Sequence, residues 1–130
     1  MLRFRAYLII LTLLSLNACS TPEHEIKNLL DKRWNALQSK NINFYSECIS
    51  DDYPEREKIL LNIESYLKKV DRISLISSEP VIYREGDSGT VFQKVRIRIE
   101  IDGEVKDLNT MEKLTVRKTK NGWRITGGIK

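Results

Sequence analysis

Apolar residues in the first half of the chain repeat at helical spacing. The first such stripe consists of Ile26, Leu29, Leu30, Trp34 and Leu37. It predicts a helix from Thr21 to about Ser39, because Thr21 supplies a capping hydroxyl and Pro22 suits the first helical position. The same spacing predicts a short helix over residues 44–49 and a third helix over residues 59–70.

The second half of the chain changes to patterns that are typical of β-strands. Four strands are predicted, over residues 73–83, 90–101, 105–118 and 123–129. The dipeptides Asp102-Gly103 and Asn121-Gly122 separate the last three strands, and such dipeptides form two-residue hairpin turns. Pro80 has no backbone N–H, so it restricts part of the first strand to an edge or bulge position.

The two turns set the register of the predicted sheet, because the side chains of a strand alternate between its two faces. A turn at Asp102-Gly103 aligns apolar residues on one face and charged residues on the other. The predicted pairs are Val91–Leu114, Gln93–Glu112 and Ile97–Leu108 on the apolar face, Arg98–Asp107 on the charged face, and, across the second turn, Leu114–Ile129 and Lys118–Ile125.

Residues 1–18 have the order of a signal peptide. Arg3 and Arg5 precede an apolar run from Ala6 to Leu16. This run is too short for a helix that spans the hydrocarbon core of a bilayer, which takes about 20 residues. The sequence therefore predicts an export signal rather than a permanent membrane anchor.

The four residues that end this segment, Leu16-Asn17-Ala18-Cys19, resemble the lipobox of bacterial lipoproteins. The resemblance implies cleavage before Cys19 and attachment of lipid to this cysteine, with residues 19–21 as a short tether. Ser20 occupies the position where lipoproteins kept in the inner membrane often carry Asp, so the periplasmic face of the outer membrane is favoured. The alternative is an ordinary secretory signal that happens to be followed by a cysteine.

The charge balance of the mature chain argues against nucleic acid as a partner. Loss of Arg3 and Arg5 with the signal peptide leaves 20 basic residues against 18 acidic residues, a formal charge of +2. Six basic residues are predicted on the outer face of the sheet: Lys94, Arg96, Arg98, Lys113, Arg117 and Arg124. This face would contact anionic lipid, envelope polymers or an acidic protein, or simply face water. So many charges disfavour dimerisation through the sheet, and a monomer is expected.

The mature chain offers few residues for metal or nucleophilic chemistry. His24 is the single histidine of the chain and lies in the first turn of the first predicted helix, where a solvated position is expected. Cys48 has apolar neighbours at helical spacing, which favours a buried structural thiol over a reactive thiol or an intermolecular disulfide. We therefore expect no metal site and no cofactor.

Several segments resemble the nuclear transport factor 2-like superfamily. They are Ala36 to Tyr45, Asp51-Asp52-Tyr53, Leu114 to Lys118 and the closing Gly122-Trp123-Arg124-Ile125. The resemblance covers residues 22–130 as one domain and is closest to small bacterial lipoproteins of unknown function. It implies an α+β cone, with two to three N-terminal helices packed on a curved four-stranded antiparallel sheet, and often a pocket between them. Members include ketosteroid isomerase, scytalone dehydratase and polyketide cyclases, beside many non-enzymatic binding domains.

One polar pair lies on the otherwise apolar face of the predicted sheet. Gln93 and Glu112 fall opposite each other there, and Tyr45, Tyr66 and Trp123 complete the candidate pocket. A carboxyl group in an apolar cavity is how ketosteroid isomerase-like sites are built. The alternative is that Glu112 lies at the open mouth of the cone or on a bulge and contacts water.

Two classes of function remain open. The first is a non-enzymatic, lipid-anchored envelope protein that binds a protein partner or a small apolar ligand. The second is a cavity enzyme of the isomerase or cyclase kind that uses Glu112. A deep pocket with Glu112 and Gln93 at its floor would favour the enzyme, and a cone filled by side chains would favour an interaction module.

Overall fold

The computed structural model describes residues 21–129, which form three helices followed by a five-stranded antiparallel sheet. The helices are α1 (Pro22–Gln38), α2 (Ile42–Glu47) and α3 (Arg56–Lys69), and the strands are β1 (Arg72–Ser77), β2 (Val81–Glu85), β3 (Ser88–Ile101), β4 (Glu104–Thr119) and β5 (Gly122–Gly127). The predicted α+β class is confirmed. The predicted signal peptide and Cys19 lie outside the described residues. Within residues 21–129, none of the helices has the length and apolar character needed to cross a bilayer.

Local side-chain chemistry sets where the helices begin. The hydroxyl of Thr21 accepts a hydrogen bond from the backbone N–H of His24 at 3.2 Å, and Pro22 occupies the first turn of α1, as predicted. Asn41 caps α2 in the same way by accepting from the N–H of Phe44. Helix α3 starts without a side-chain cap, directly after Glu55 in a left-handed conformation (φ 55°).

The first predicted strand is in fact two strands, so the sheet has five strands rather than four. The strand order is β1-β3-β4-β5. Strand β2 follows β1 along the same edge of β3, so that β1 pairs with residues 95–100 and β2 with residues 88–92. The three residues Ser78–Pro80 lie opposite only Gln93 and Lys94, so the edge bulges there, and the N–H of Ser78 still donates to the backbone oxygen of Lys94 at 2.9 Å. Pro80 has no N–H to donate to β3, so pairing stops before it and resumes after it.

The register of the β3–β4 hairpin is confirmed at every predicted pair. Asp102 (φ 50°) and Gly103 (φ 82°) both have positive φ, as a type I′ turn requires. Ile97 lies opposite Leu108 on the inner face. Across the outer face Arg98 donates from Nε to the carboxylate of Asp107 at 2.9 Å, and this ion pair lowers the pKa of Asp107 below its ordinary value.

The predicted β4–β5 register is wrong by two residues. Thr119 pairs with Gly122 and Val116 with Ile125, so the turn residues are Lys120 and Asn121. Positive φ is found at Gly122 (100°) and at neither turn residue, so this is not the type I′ turn that is predicted for Asn121-Gly122. A shift of two residues keeps each side chain on its predicted face, and Ile125 therefore still points inward.

The core lies between the helices and the inner face of the sheet, and it has two parts. The larger cluster includes Ile26, Leu30, Tyr45, Leu114, Val116, Trp123 and Ile125. The smaller cluster is formed by Val70, Ile73 and Ile99 near the junction of α3 with β1. Side chains from both clusters face a cavity at this end of the cone.

Candidate functional site

A cavity of about 560 Å³ lies between α1, α3 and the inner face of β1, β3 and β4. Its walls are mainly aliphatic, and include Leu37, Ile63, Leu67, Ile73, Ile97 and Ile99. Tyr66 and Leu108, which are 42% and 50% exposed, mark its rim. The volume falls within the range of roughly 300–1,000 Å³ that small-molecule sites occupy.

A buried ion pair lies in the wall of this cavity. The Nη1 and Nη2 atoms of Arg33 donate to the two carboxylate oxygens of Glu112 at 2.7 and 2.8 Å. The Arg33 side chain is 5% exposed and the Glu112 side chain 16% exposed. Bidentate pairs of this kind are strong and directional, so the two side chains form one unit that links α1 to β4.

Two aromatic side chains position the guanidinium of Arg33. It lies over the ring of Trp34, 4.4 Å from the ring centroid, and its Nε donates a long hydrogen bond of 3.5 Å to the hydroxyl of Tyr45. Burial on its own would lower the pKa of Arg33. The hydrogen bonds and negative charge of Glu112, together with the contact with Tyr45, outweigh this effect in sum and raise that pKa above its ordinary value, so Arg33 stays charged.

Gln93 is bonded to other groups and not to Glu112, its partner across the strands. Its side-chain oxygen accepts from Trp34 Nε1 at 3.2 Å, and its Nε2 donates to the backbone oxygen of Ser78 at 3.0 Å. Gln93 is buried and lies outside the cavity lining. Gln93 therefore links Ser78, between β1 and β2, to Trp34 of α1. The bond to Trp34 holds the indole ring over which the guanidinium of Arg33 lies.

The other candidate pocket residues divide between the cavity and the core. Tyr45 and Tyr66 line the cavity together with Glu112. Trp123 belongs to the larger core cluster and not to the lining. Because β5 pairs only with the last part of β4, Trp123 lies opposite Lys118, well along the strand from Glu112.

Arg33 is the site residue that sequence reasoning missed. The stripe of α1 that faces the sheet contains Ile26, Leu30, Arg33 and Leu37, at spacings of four, three and four residues. An arginine inside an apolar stripe requires a buried partner, since a lone buried charge is very costly. The sequence also supplies that partner, because Glu112 is the carboxylate predicted on the apolar face of the sheet. The two residues together could have indicated the ion pair.

The described residues contain no group of three or more His, Cys, Asp or Glu side chains that could hold a metal ion. His24 lies in the first turn of α1 and is exposed. Cys48 is fully buried, and its thiol lies 3.5 Å from the backbone oxygen of Phe44. Burial raises the pKa of the Cys48 thiol, which disfavours the reactive thiolate.

Cys48 should therefore react slowly with a thiol reagent in the folded protein. We expect modification by dithiobis(nitrobenzoate) at pH 8 to be about 100-fold slower than in denaturant, because the thiol is accessible only after local opening. The release of nitrothiobenzoate from residues 19–130 with Cys19→Ser, followed by absorbance, measures the rate at Cys48 alone. Equal rates in buffer and in denaturant would contradict the buried position.

The outer face of the sheet carries the predicted basic residues, but two of them are paired with acids. Arg98 bonds Asp107, and Arg117 donates to Asp52 at 2.6 Å. Five exposed apolar side chains also lie on this face: Ile76, Val81, Tyr83, Val105 and Met111. The outer face is therefore a mixed apolar and basic surface rather than a continuous basic stripe.

Known structures share this architecture at low sequence identity. The nuclear transport factor 2-like superfamily protein from Salmonella enterica serovar Typhimurium has a TM-score of 0.74 at 14% identity, covering 84% of this chain and 92% of that one. A candidate dehydratase of the same fold family from Streptomyces avermitilis has a TM-score of 0.70 at 12% identity, covering 78% and 90%. A protein of unknown function with a cystatin-like fold from Nostoc punctiforme has a TM-score of 0.64 at 17% identity, covering 78% and 84%.

No protein-family pattern matches this chain, and no curated protein sequence does either. The structural neighbours show that the described residues have the nuclear transport factor 2-like fold that the sequence resemblance implied. Identities this low establish the fold alone. The same fold hosts enzymes and binding proteins, so function has to be argued from the site.

Proposed function

We propose that this protein is a lipid-anchored envelope protein whose domain binds a small, mostly apolar ligand in its cavity without transforming it. The anchor rests on the lipobox-like residues that end in Cys19, and the same residues favour the periplasmic face of the outer membrane. The binding activity rests on the geometry of the cavity. A protein partner is the other candidate for the non-enzymatic class, but the size and the aliphatic lining of the cavity favour a small molecule.

The observation that carries this proposal is the unfilled volume of about 560 Å³ with mainly aliphatic walls. Sites for small molecules are typically concave and lined mainly by apolar side chains, with a few polar groups in the wall, as this cavity is. Apolar cavities of this kind gain little from water and readily accept apolar molecules. These properties support the binding of a small, mostly apolar molecule.

The ion pair argues against the competing enzyme, in which Glu112 acts as acid or base. Both oxygens of Glu112 accept from Arg33. Transfer of a proton to Glu112 would neutralise it and leave the guanidinium buried without its counter-ion, which is strongly unfavourable. The dehydratase description of the Streptomyces neighbour keeps the enzyme class as the second candidate.

A neutral fluorescent probe tests the binding activity directly. We expect N-phenyl-1-naphthylamine to bind the mature chain (residues 19–130 with Cys19→Ser) saturably, with a dissociation constant in the micromolar range and an increase in emission. Ile97→Trp, which places a larger side chain in the cavity wall, should weaken binding by about tenfold or more.

Ile76→Trp provides the matched control, because Ile76 lies on the outer face of the sheet and is 67% exposed. It should bind the probe as the unchanged chain does. Circular dichroism establishes that each variant is folded, and Leu75→Trp, also in the cavity wall, replaces Ile97→Trp if that variant is not. Equal affinity in the cavity and surface variants, or no saturable binding, would refute the proposed function.

A further inference from the structure

The charges that face the cavity cancel one another. Three charged residues of the described chain contribute to its lining: Arg33, Glu112 and Lys113. The ammonium of Lys113 lies 5.7 Å from the ring of Phe92, which belongs to the outer face of the sheet. Arg33 and Glu112 are bonded to each other, so the polar part of the wall has no net charge.

A ligand with a charged head would therefore introduce a third charge without a counter-ion. A carboxylate next to Arg33 would also lie next to Glu112, and an ammonium next to Glu112 would also lie next to Arg33. Either would be transferred from water into a largely apolar cavity, where an unpaired charge is strongly disfavoured. Displacing one member of the pair does not help, because the displaced member is then left buried and unpaired.

The pair nevertheless retains hydrogen-bonding capacity. The guanidinium has five N–H groups, of which three are directed to Glu112 and Tyr45. Each oxygen of Glu112 has a second lone pair, and this side chain keeps 16% exposure. A neutral hydroxyl group suits both partners, since it can donate to a carboxylate oxygen while it accepts from a free N–H.

From these observations we propose that the cavity selects uncharged amphipathic molecules, in which an apolar chain or ring carries a hydroxyl group that hydrogen-bonds the Arg33–Glu112 pair. This inference rests on the proposed function and adds the chemical class of the ligand. The aliphatic walls supply affinity for the apolar part, and the ion pair supplies selection of the head group. Charged amphiphiles of the same chain length, including fatty acids at neutral pH, are excluded.

Three probes that differ only in the head group test this selection: 1-decanol, decanoate and decylammonium, each displacing N-phenyl-1-naphthylamine from the mature chain at pH 7.5. We expect decanol to bind at least about tenfold more tightly than either ion. In Glu112→Gln the guanidinium loses its counter-ion, so decanoate should gain about tenfold in affinity and decanol should not. Glu104→Gln, on the same strand but outside the cavity lining, should keep the native order.

The outcomes separate this inference from the proposed function. If decanoate or decylammonium binds the native chain as tightly as decanol, the head-group selection is wrong, while ligand binding in the cavity stands. If neither the fluorescent probe nor any of the three decyl compounds binds, the proposed function itself is wrong. The order of the three affinities in the native chain tests the inference even if Glu112→Gln does not fold.

Discussion

Replacing Arg33 with methionine should lower the free energy of unfolding by about 3 kcal/mol, because it leaves the Glu112 carboxylate in the cavity wall without its partner. Methionine keeps an unbranched side chain in the stripe of α1, so most of the packing of the arginine stem is preserved. The remaining loss is therefore mainly electrostatic. Urea unfolding followed by circular dichroism at pH 7 measures it.

The double variant Arg33→Met/Glu112→Leu is the control that isolates the ion pair. Replacing both members of a buried pair with apolar side chains is often neutral or stabilising, so this variant should lie within about 1 kcal/mol of the unchanged chain. The double variant would then be more stable than Arg33→Met alone. If the two variants were equally destabilised, the loss would come from packing around α1, and the ion pair would have no separate role.

The two hairpins show how far turn residues determine a register. Asp102-Gly103 forms the predicted two-residue turn between long alternating strands, and the sequence was sufficient to predict each pair of this hairpin. Asn121-Gly122 suits the centre of a two-residue turn as well as Asp102-Gly103 does, but it does not occupy that position. The turn residues are Lys120 and Asn121 instead, and in this register Ile125 of β5 forms a bridge with Ile49, in the segment after α2.

The break between β1 and β2 shows a different limit. Pro80 predicts an interruption of pairing, but the sequence does not say whether the chain bulges or leaves the sheet. The backbone oxygen of Ser78 turns towards Gln93, and the side chain of Gln93 satisfies it. This long-range bond makes the break favourable, since it supplies a partner for a backbone group that the bulge leaves unpaired in the ladder.

The site was predictable on the sheet and not on the helix. The register alone places Glu112 and Gln93 on the inner face, since alternation along a strand has two possible outcomes. Arg33 is separated from Glu112 by 79 residues, and their contact depends on the rotation of α1 above the sheet. The periodicity of the side chains predicts which residues of α1 face the sheet. It does not predict which strand each of these residues contacts.

Ile125→Ala should lower the free energy of unfolding by about 4 kcal/mol, because Ile125 is fully buried at the packed end of the cone. Its N–H donates to Cys48 and its carbonyl accepts from Ser50, so the surrounding backbone is held on both sides and cannot collapse into the space left by the side chain. Urea unfolding measures the loss. Probe affinity should be unchanged under conditions where the variant is folded, since Ile125 does not line the cavity.

Two further isoleucines make this prediction specific to the packed end. Ile97→Ala should cost only about 1–2 kcal/mol, because the Ile97 side chain already borders open volume and has fewer partner atoms to lose. Ile76→Ala, on the exposed outer face, should cost less than about 1 kcal/mol. The order Ile125, Ile97, Ile76 follows from a cone that is filled at one end and hollow at the other. Equal losses at Ile125 and Ile97 would mean that the cavity end is packed as tightly as the core, and the volume proposed for a ligand would not exist in solution.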